Sequence, residues 1–200
     1  MGSKLYYIHA PMRGGKSAHL LMKVHSFIEN NIPVLCIKPS IDDRDGENVI
    51  KSRVGLETEC LSITTSDDIY TIINEYCRMM ELYGKDLPQW LFCDESQFLT
   101  KEQVEQLAYI VDKLNINVMC YGLRSDFKGN LFEGSQRLFE LADSIEELKL
   151  LCSCGRKAIM NSRIDEFGNI ILDGEQIQVG DNQYKSICRK CFFEKTREIE

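Results

Sequence analysis

The stretch from Lys4 to Ser17, KLYYIHAPMRGGKS, constrains the fold of this chain more than any other part of the sequence. An apolar run is followed by Pro and Gly residues, then by Lys16 and Ser17, and then by a helix-like segment, HLLMKVHSFI. Strand, glycine-rich turn, Gly-Lys-Ser and helix in this order are typical of a phosphate-binding loop (P-loop). Its backbone N–H groups and the helix N-terminus attract phosphate. We therefore predict that Lys16 contacts the β- and γ-phosphates of a nucleotide and that Ser17 binds Mg²⁺.

The predicted P-loop begins with an alanine where the usual pattern has glycine. An alanine at this position would be strained if the loop required a positive φ there. The alternative to a P-loop is a glycine-rich turn that joins a strand to a helix and binds no ligand. The order of the elements favours the P-loop, whose predicted residues are Ala10, Pro11, Met12, Arg13, Gly14, Gly15, Lys16 and Ser17.

A second apolar run, QWLFCDE, ends in the adjacent acidic residues Asp94 and Glu95. In P-loop proteins an aspartate at the end of a neighbouring strand faces the Mg²⁺ ion that the P-loop holds. We therefore predict that Ser17 and Asp94 are the Mg²⁺ ligands and that Glu95 accepts a proton from the attacking group. A strand that ends in a solvated acidic turn is the alternative, which the upstream P-loop disfavours. The predicted ATP-binding set also includes the next two residues, Ser96 and Gln97.

The composition limits the classes of protein to which the chain can belong. Its 200 residues are 44% hydrophobic and carry a net charge of −7 without a basic stripe, so we expect no nucleic-acid partner. No apolar run approaches the roughly 18 residues of a membrane-spanning helix, so we expect no membrane segment. The nine cysteines are an odd count, and no secretory signal pattern is visible, which favours a reducing, cytoplasmic location.

Four of the cysteines form a separate cluster near the end of the chain, in the pattern Cys-x-Cys followed later by Cys-x-x-Cys. Four thiolates suit tetrahedral Zn²⁺ and leave no open position for water, so we predict a structural zinc ion. Disulfides are the alternative, which a reducing compartment disfavours. The segment between the two pairs, here called the flap, would be anchored by the metal at both ends. The predicted ligands are Cys152, Cys154, Cys188 and Cys191.

Hydrophobic patterning in the rest of the chain predicts strands that alternate with helices. Such alternation implies an α/β fold with a parallel sheet and helices on both faces. Together with the P-loop and the cysteine cluster, it predicts a P-loop NTPase-like (RecA-like) sheet followed by a small zinc-binding domain that carries the flap (lasso) loop. The predicted strands cover residues 5–8, 33–38, 60–63, 89–93, 117–121 and 144–150, and the predicted helices cover 19–28, 100–114 and 131–142, with another from the N-cap cluster 66–68 to about 82. The predicted boundaries are 1–150 for the P-loop domain, 151–193 for the zinc-binding domain and 194–200 for a C-terminal tail.

The segment 39–56 is polar and rich in Asp and Gly, and it is long for a simple connection. It contains Arg44 and Arg53. Either arginine can hold a phosphate, and both can equally be solvated loop charges. The sequence leaves these two interpretations open.

The P-loop, the acidic pair and the flap together predict a protein that uses a nucleoside triphosphate. A kinase must exclude water from the γ-phosphate, and a flap anchored by a metal suits that need. The rival interpretation is a zinc-ribbon P-loop ATPase, or a binding module stimulated by nucleic acid. The acidic net charge disfavours this rival.

The motifs as a group resemble those of the tetrameric, zinc-containing (type II) thymidine kinases of bacteria, animals and poxviruses, and the bacterial branch most. The resemblance covers essentially the whole chain. It rests on PMRGGKS at 11–17, KPSIDDR at 38–44, SRVG at 52–55, DESQF at 94–98, YGLRSDFKGNLF at 121–132, CSCGRKA at 152–158 and YKSICRKC at 184–191.

This resemblance implies that the chain phosphorylates thymidine, and deoxyuridine, at the 5′-hydroxyl with ATP, giving dTMP in the salvage of DNA precursors. It implies that Glu95 is the catalytic base, that Phe98 stacks on thymine and that Tyr184 contacts the deoxyribose. It also implies structural Zn²⁺, Mg²⁺ with ATP, a homotetramer, and inhibition by thymidine triphosphate. The implied substrate-binding residues are Met12, Phe98, Leu123, Phe127, Asn161, Gln178, Val179, Gly180 and Tyr184.

Overall fold

A computed structural model describes residues 2–42, 46–176 and 184–196, and the structural statements below refer to these residues. The strands are β1 (Leu5–His9), β2 (Val34–Pro39), β3 (Val49–Lys51), β4 (Glu57–Glu59), β5 (Leu61–Ile63), β6 (Trp90–Cys93), β7 (Asn117–Gly122), β8 (Ser144–Glu147), β9 (Leu150–Leu151), β10 (Lys157–Ala158), β11 (Met160–Arg163) and β12 (Tyr184–Ile187). The α-helices are α1 (Lys16–Glu29), α2 (Ile69–Leu82), α3 (Lys101–Leu114), α4 (Glu133–Leu141) and α5 (Arg189–Thr196), and a short 3₁₀ helix covers Ser96–Phe98.

The central sheet has six strands in the order β5-β2-β6-β7-β1-β8, and every pairing within it is parallel. This arrangement confirms the predicted α/β class with a parallel sheet. The carboxyl ends of β1, β2, β6 and β7 therefore lie along one edge of the sheet. Ligands bind at that edge in open α/β folds, particularly where the chain crosses from one side of the sheet to the other.

Both faces of the sheet are covered by helices. Successive residues of β1 point to opposite faces, so that Tyr7 belongs to the apolar cluster that includes α2, α3 and α4, whereas Ile8 belongs to the cluster that includes α1. Strands buried on both faces must be apolar at nearly every position, which explains the continuous runs in the sequence. Within the described ranges, no helix has the length and apolar character needed to cross a bilayer.

Two predicted helix starts are confirmed in atomic detail. The Asp68 carboxylate accepts a hydrogen bond from the backbone N–H of Thr71 at 2.9 Å, which caps α2. Thr100 and Gln103 form a reciprocal capping box at the start of α3, with both hydrogen bonds at 3.2 Å. Each cap satisfies backbone donors that the first helical turn leaves unpaired.

The polar composition of the segment 39–56 is typical of a long connection, but the segment also contains a strand. Its second half forms β3, which pairs with β4 in an antiparallel hairpin. The buried ammonium group of Lys38, at the end of β2, holds this hairpin by donating to the carbonyls of Gly46 at 2.6 Å and Val49 at 2.9 Å. The hairpin therefore lies beside the carboxyl edge of the central sheet, where the P-loop also emerges.

The predicted strand 144–150 is wrong in its second half. Strand β8 ends at Glu147, and Leu150 belongs to β9, which pairs with β10 in a separate two-stranded sheet. From β9 onwards the chain builds a small apolar cluster of its own, which draws on β10, β11, β12 and α5. Its buried members are Cys152, Ala158, Met160, Ile170, Ile187, Cys188 and Phe192. The domain boundaries themselves remain a prediction.

Candidate active site

The P-loop connects β1 to α1 through a tight turn. The Gly14 N–H donates to the Pro11 carbonyl at 3.1 Å, and a Cβ on Gly14 would lie only 2.6 Å from the Cβ of Ala10. Arg13 and Gly15 have left-handed backbones, with φ of 62° and 78°. The glycines at 14 and 15 are thus needed for space and for backbone angle respectively.

Ala10 is not strained, because the loop does not require a positive φ at this position. It is fully buried beneath the loop, and its φ is not positive. The chain has not yet begun to turn at this position, because the Ala10 N–H still donates to the Gly122 carbonyl of the neighbouring strand at 3.3 Å. An alanine side chain therefore fits where the usual pattern has glycine.

Asp94 lies at the end of β6, buried beside the P-loop. Burial, together with the neighbouring Glu95 carboxylate, raises the pKa of Asp94 to about 7, while hydrogen bonding from Ser17 and the charge of Lys16 oppose this rise. A buried carboxylate in contact with a serine hydroxyl offers two hard oxygen ligands, which Mg²⁺ prefers. The residues present therefore fit the predicted magnesium site, in which the ion would compensate the buried negative charge.

Glu95 has an unusual backbone conformation, with φ 47° and ψ 37°. A left-handed conformation in a non-glycine residue costs about 1–2 kcal/mol, and such strain is often found at functional sites. The surrounding structure holds it in place, since the Glu95 N–H donates to the Asp94 carboxylate at 3.0 Å. The Glu95 side chain lines the cavity that the P-loop also borders.

Gln97 orients the Glu95 carboxylate, a role that its place in the sequence did not reveal. Its amide Nε2 donates to Glu95 Oε2 at 2.6 Å, and its Oε1 accepts from the backbone N–H of Leu123 at 2.9 Å. The neighbouring Ser96 is also buried, but its hydroxyl donates to the Tyr121 carbonyl at 2.9 Å, and its side chain does not line the cavity.

We expect Gln97→Ala to lower kcat about ten-fold or more, because it frees the Glu95 carboxylate and leaves the Leu123 N–H unpaired. The KM for ATP should stay within about two-fold, since Gln97 orients the predicted base and does not hold the P-loop. Steady-state assays of the purified variant measure both constants. The matched control is Gln136→Ala on the exposed face of α4; equal kcat values for the two variants would contradict the assigned role.

The P-loop and the acidic pair border one cavity of about 560 Å³, a volume typical of small-molecule sites. One part of its wall is polar or charged and includes Lys16, Ser17, Asp94 and Glu95. Another part of the wall is mainly apolar and brings together six of the predicted substrate-binding residues. These are Met12, Phe98, Leu123, Phe127, Asn161 and Tyr184.

Asn161, from β11, forms hydrogen bonds with two other residues of the cavity wall. Its Oδ1 accepts from the Met12 N–H at 2.8 Å, and its Nδ2 donates to the Ser125 carbonyl at 2.9 Å. The Ser186 hydroxyl of β12 donates to the Met12 carbonyl at 2.6 Å. The β11–β12 pair thus fixes the P-loop residue Met12 from the side, so the part of the chain that carries the cysteine cluster contributes directly to the cavity.

The four predicted zinc ligands come together as expected. Their sulfur atoms all lie within 4.8 Å of one another, with Cys154 and Cys188 Sγ 3.6 Å apart. Tetrahedral Zn²⁺ with Zn–S bonds of 2.3 Å would place its sulfurs about 3.8 Å apart, so the geometry fits the metal. Backbone N–H groups of Cys154 and Cys188 lower the pKa of Cys152 to about 6, whereas hydrogen bonds with Cys154 and Cys188 raise the pKa of Cys191 to about 12. All nine cysteines are free, so the disulfide alternative is not supported.

Several predicted site residues lie outside the described residues, and the structure does not place them. These are Gln178, Val179, Gly180 and Arg44. Arg53, the other candidate phosphate-binding arginine, lines the cavity together with its neighbour Ser52 in the connection between β3 and β4. The choice between Arg44 and Arg53 therefore stays open.

The fold and the site together define a class of protein. A P-loop beside the buried Asp94 and the partly buried Glu95 is typical of a site for a nucleoside triphosphate and its metal, and a mainly apolar wall in the same cavity provides room for a small acceptor. A thiol cluster holds the segment that contributes Asn161 and Tyr184 to that wall. This combination is that of a P-loop phosphotransferase acting on a small molecule.

Comparison with known proteins gives the particular family. A family model described as Thymidine kinase matches residues 3–192. A thymidine kinase of Enterobacteria phage T4 is 45% identical over 197 residues, which cover 98% of this chain and 99% of the relative. Thymidine kinases of Rhodopirellula baltica and Mannheimia succiniciproducens are 43% and 42% identical, covering 96% and 98% of this chain and 89% and 98% of their own lengths. The chain belongs to the thymidine kinase family, as its motifs predicted.

Proposed function

We propose that the protein transfers the γ-phosphate of ATP to the 5′-hydroxyl of thymidine, and that it also accepts deoxyuridine. One observation carries this proposal beyond family membership. The phosphate-binding residues, the Glu95 carboxylate and the mainly apolar wall for a base all border the same cavity. A nucleoside in that cavity would have its hydroxyl beside the group that is to be transferred.

The proposed reaction is an in-line phosphoryl transfer. The 5′-oxygen forms a bond to the γ-phosphorus, the bond from that phosphorus to the β–γ bridging oxygen breaks, and ADP leaves. Glu95 accepts the proton of the 5′-hydroxyl, and the Lys16 ammonium offsets negative charge on the phosphates. Mg²⁺ held by Ser17 and Asp94 would supply the remaining positive charge.

The mainly apolar wall is proposed to recognise the thymine base and the sugar. Phe98 is proposed to stack on the base, and its ring is already fixed by an edge contact with Phe132, with centroids 5.8 Å apart. Met12, Leu123 and Phe127 would surround the base. Tyr184 would contact the deoxyribose, while the backbone of residues 178–180 would complete the base site.

The metal and the assembly belong to the same proposal. We propose one structural Zn²⁺ on the four thiolates, which leave no position for water. Family membership further supports a cytoplasmic homotetramer that thymidine triphosphate inhibits, acting in the salvage of DNA precursors. Gel filtration with light scattering tests the assembly, and titration of thymidine triphosphate into the assay tests the inhibition.

An assay of ATP turnover with different acceptors tests the proposed function against its rival. Thymidine and deoxyuridine should each stimulate turnover, whereas purine nucleosides should not. A zinc-ribbon ATPase would instead respond to single-stranded DNA, with no effect of thymidine. That second result would replace the proposed function with the rival.

A further inference from the structure

Arg163 is a buried arginine whose role neither the P-loop nor the zinc cluster explains. It is the last residue of β11, and only 3% of its surface is exposed. A buried cation is costly unless charged or polar groups compensate it, so its partners show what it does. Arg163 does not itself line the cavity, which means that any effect on substrate must pass through those partners.

The guanidinium group contacts two residues of the cavity wall. Its Cζ lies 3.8 Å from the centroid of the Phe127 ring, which is a close cation–π stack. Its Nε and Nη2 donate to the hydroxyl oxygen of Tyr184, at 3.3 and 3.0 Å. One side chain thus connects the proposed base wall to the proposed deoxyribose contact.

The same guanidinium group also holds the part of the flap that leads away from β11. Nη2 donates to the carbonyl of Glu175 at 2.9 Å, and Nη1 donates to the carbonyl of Asp173 at 3.4 Å. Nearby, the Gln176 amide donates to the Asp126 carboxylate at 3.0 Å, next to Phe127 in the chain. The outgoing part of the flap and the strand that returns from it, β12, are therefore joined at Arg163.

Gly174 lies directly against this guanidinium group. Its φ is +109°, and a Cβ at this position would lie 2.8 Å from Nη1 of Arg163. The backbone between the two accepting carbonyls therefore passes so close to the arginine that a side chain does not fit. The planar, forked guanidinium is required here, because a lysine ammonium cannot stack on a ring and donate in several fixed directions at once.

We propose that Arg163 is a positioning residue for thymidine binding, which sets Phe127, Tyr184 and residues 173–175 in the arrangement that receives the nucleoside. This inference rests on the proposed function and deepens it. Arg163 acts before the chemical step and away from the P-loop. Its loss should therefore weaken thymidine binding far more than it affects ATP or the transfer itself.

The first test compares wild-type enzyme with Arg163→Met and Arg163→Lys, using the zinc-loaded full chain. Thymidine and ATP are varied separately in steady-state assays. Arg163→Met should raise the KM for thymidine about ten-fold or more, with kcat and the KM for ATP within about three-fold. Arg163→Lys keeps the charge but not the fork, so it should also raise the KM for thymidine. A purely structural role would instead lower the active fraction, and hence kcat, without changing that KM.

A second test changes the arginine's surroundings and leaves the arginine in place. Gly174→Ala introduces both backbone strain and contact with the guanidinium. Gly168→Ala is the matched control, because Gly168 also has a positive φ, +84°, but nothing lies within 4 Å of its added Cβ. We expect Gly174→Ala to raise the KM for thymidine and Gly168→Ala to leave it unchanged. This pair decides the question if Arg163→Met fails to fold.

The outcomes separate the two proposals. Suppose that the wild-type enzyme phosphorylates thymidine and that Arg163→Met, Arg163→Lys and Gly174→Ala all keep the wild-type KM for thymidine. Only the positioning role is then overturned. If only Arg163→Lys keeps the wild-type KM for thymidine, the requirement for a forked guanidinium group is overturned. If the wild-type protein shows no thymidine-dependent turnover, the proposed function fails and the positioning role fails with it.

Discussion

Glu95→Gln is expected to lower kcat by about 10³-fold while thymidine and ATP still bind, because only the proton acceptor is removed. The substitution should leave the site intact. A glutamine at position 95 can still accept the hydrogen bond from Gln97 Nε2 through its own carbonyl oxygen. Single-turnover assays measure the transfer step, and equilibrium dialysis with labelled thymidine measures binding.

The control for this variant is Glu102→Gln, which changes an exposed carboxylate in the first turn of α3 and should behave as wild type. Retention of most of kcat in Glu95→Gln would show that another group takes the proton. A large loss of thymidine binding in Glu95→Gln would show that the carboxylate positions the nucleoside and does not act as a base.

Cys188→Ser is expected to have the largest effect on stability. Cys188 is buried, its sulfur lies 3.6 Å from that of Cys154, and it also accepts from the Cys191 N–H at 3.4 Å. Metal binding at a structural site contributes folding free energy on the order of 10 kcal/mol, so losing one of four ligands should cost several kcal/mol. The Tm should then fall by about 10 °C or more. The zinc content should fall from about one per chain to near zero.

Loss of the metal should also disturb the active site and lower activity. The four-cysteine cluster holds the ends of the segment that carries Asn161 and Arg163. Asn161 holds Met12, and Arg163 holds Tyr184. We therefore expect Cys188→Ser to lower kcat/KM for thymidine even below its Tm. The control is Cys77→Ala, which removes a buried thiol of α2 far from the cluster and should keep its zinc. A full zinc content in Cys188→Ser would contradict the predicted ligand set.

Most of the fold could be predicted because its signals are local. Parallel strands buried on both faces leave continuous apolar runs, and the capping box at Thr100 marks the start of α3 within four residues. The P-loop and the pair Asp94–Glu95 combine unusual residue types with a fixed position at strand ends. Each cysteine pair is also a short motif that can be read from neighbouring residues. That the two pairs meet in the fold cannot be read in this way.

The features that escaped prediction depend on contacts between distant parts of the chain. Strands β3 and β4 are only three residues each, and β4 (Glu-Thr-Glu) is polar, so their pairing leaves little trace in the hydrophobic pattern. The burial of Lys38 depends on carbonyls that this hairpin brings to it. Arg163 lies in a polar stretch, and only the packing of Phe127 and Tyr184 around it shows that it is buried.

We expect the γ-phosphate to go to a nucleoside hydroxyl in this cavity and not to water. The most direct measurement follows labelled γ-phosphate of ATP in the presence of thymidine, zinc-loaded enzyme and Mg²⁺, with the products separated by chromatography. We predict that the label appears in thymidine 5′-monophosphate, in an amount equal to the ADP formed. Label found mainly in inorganic phosphate, at a rate independent of thymidine, would contradict the account.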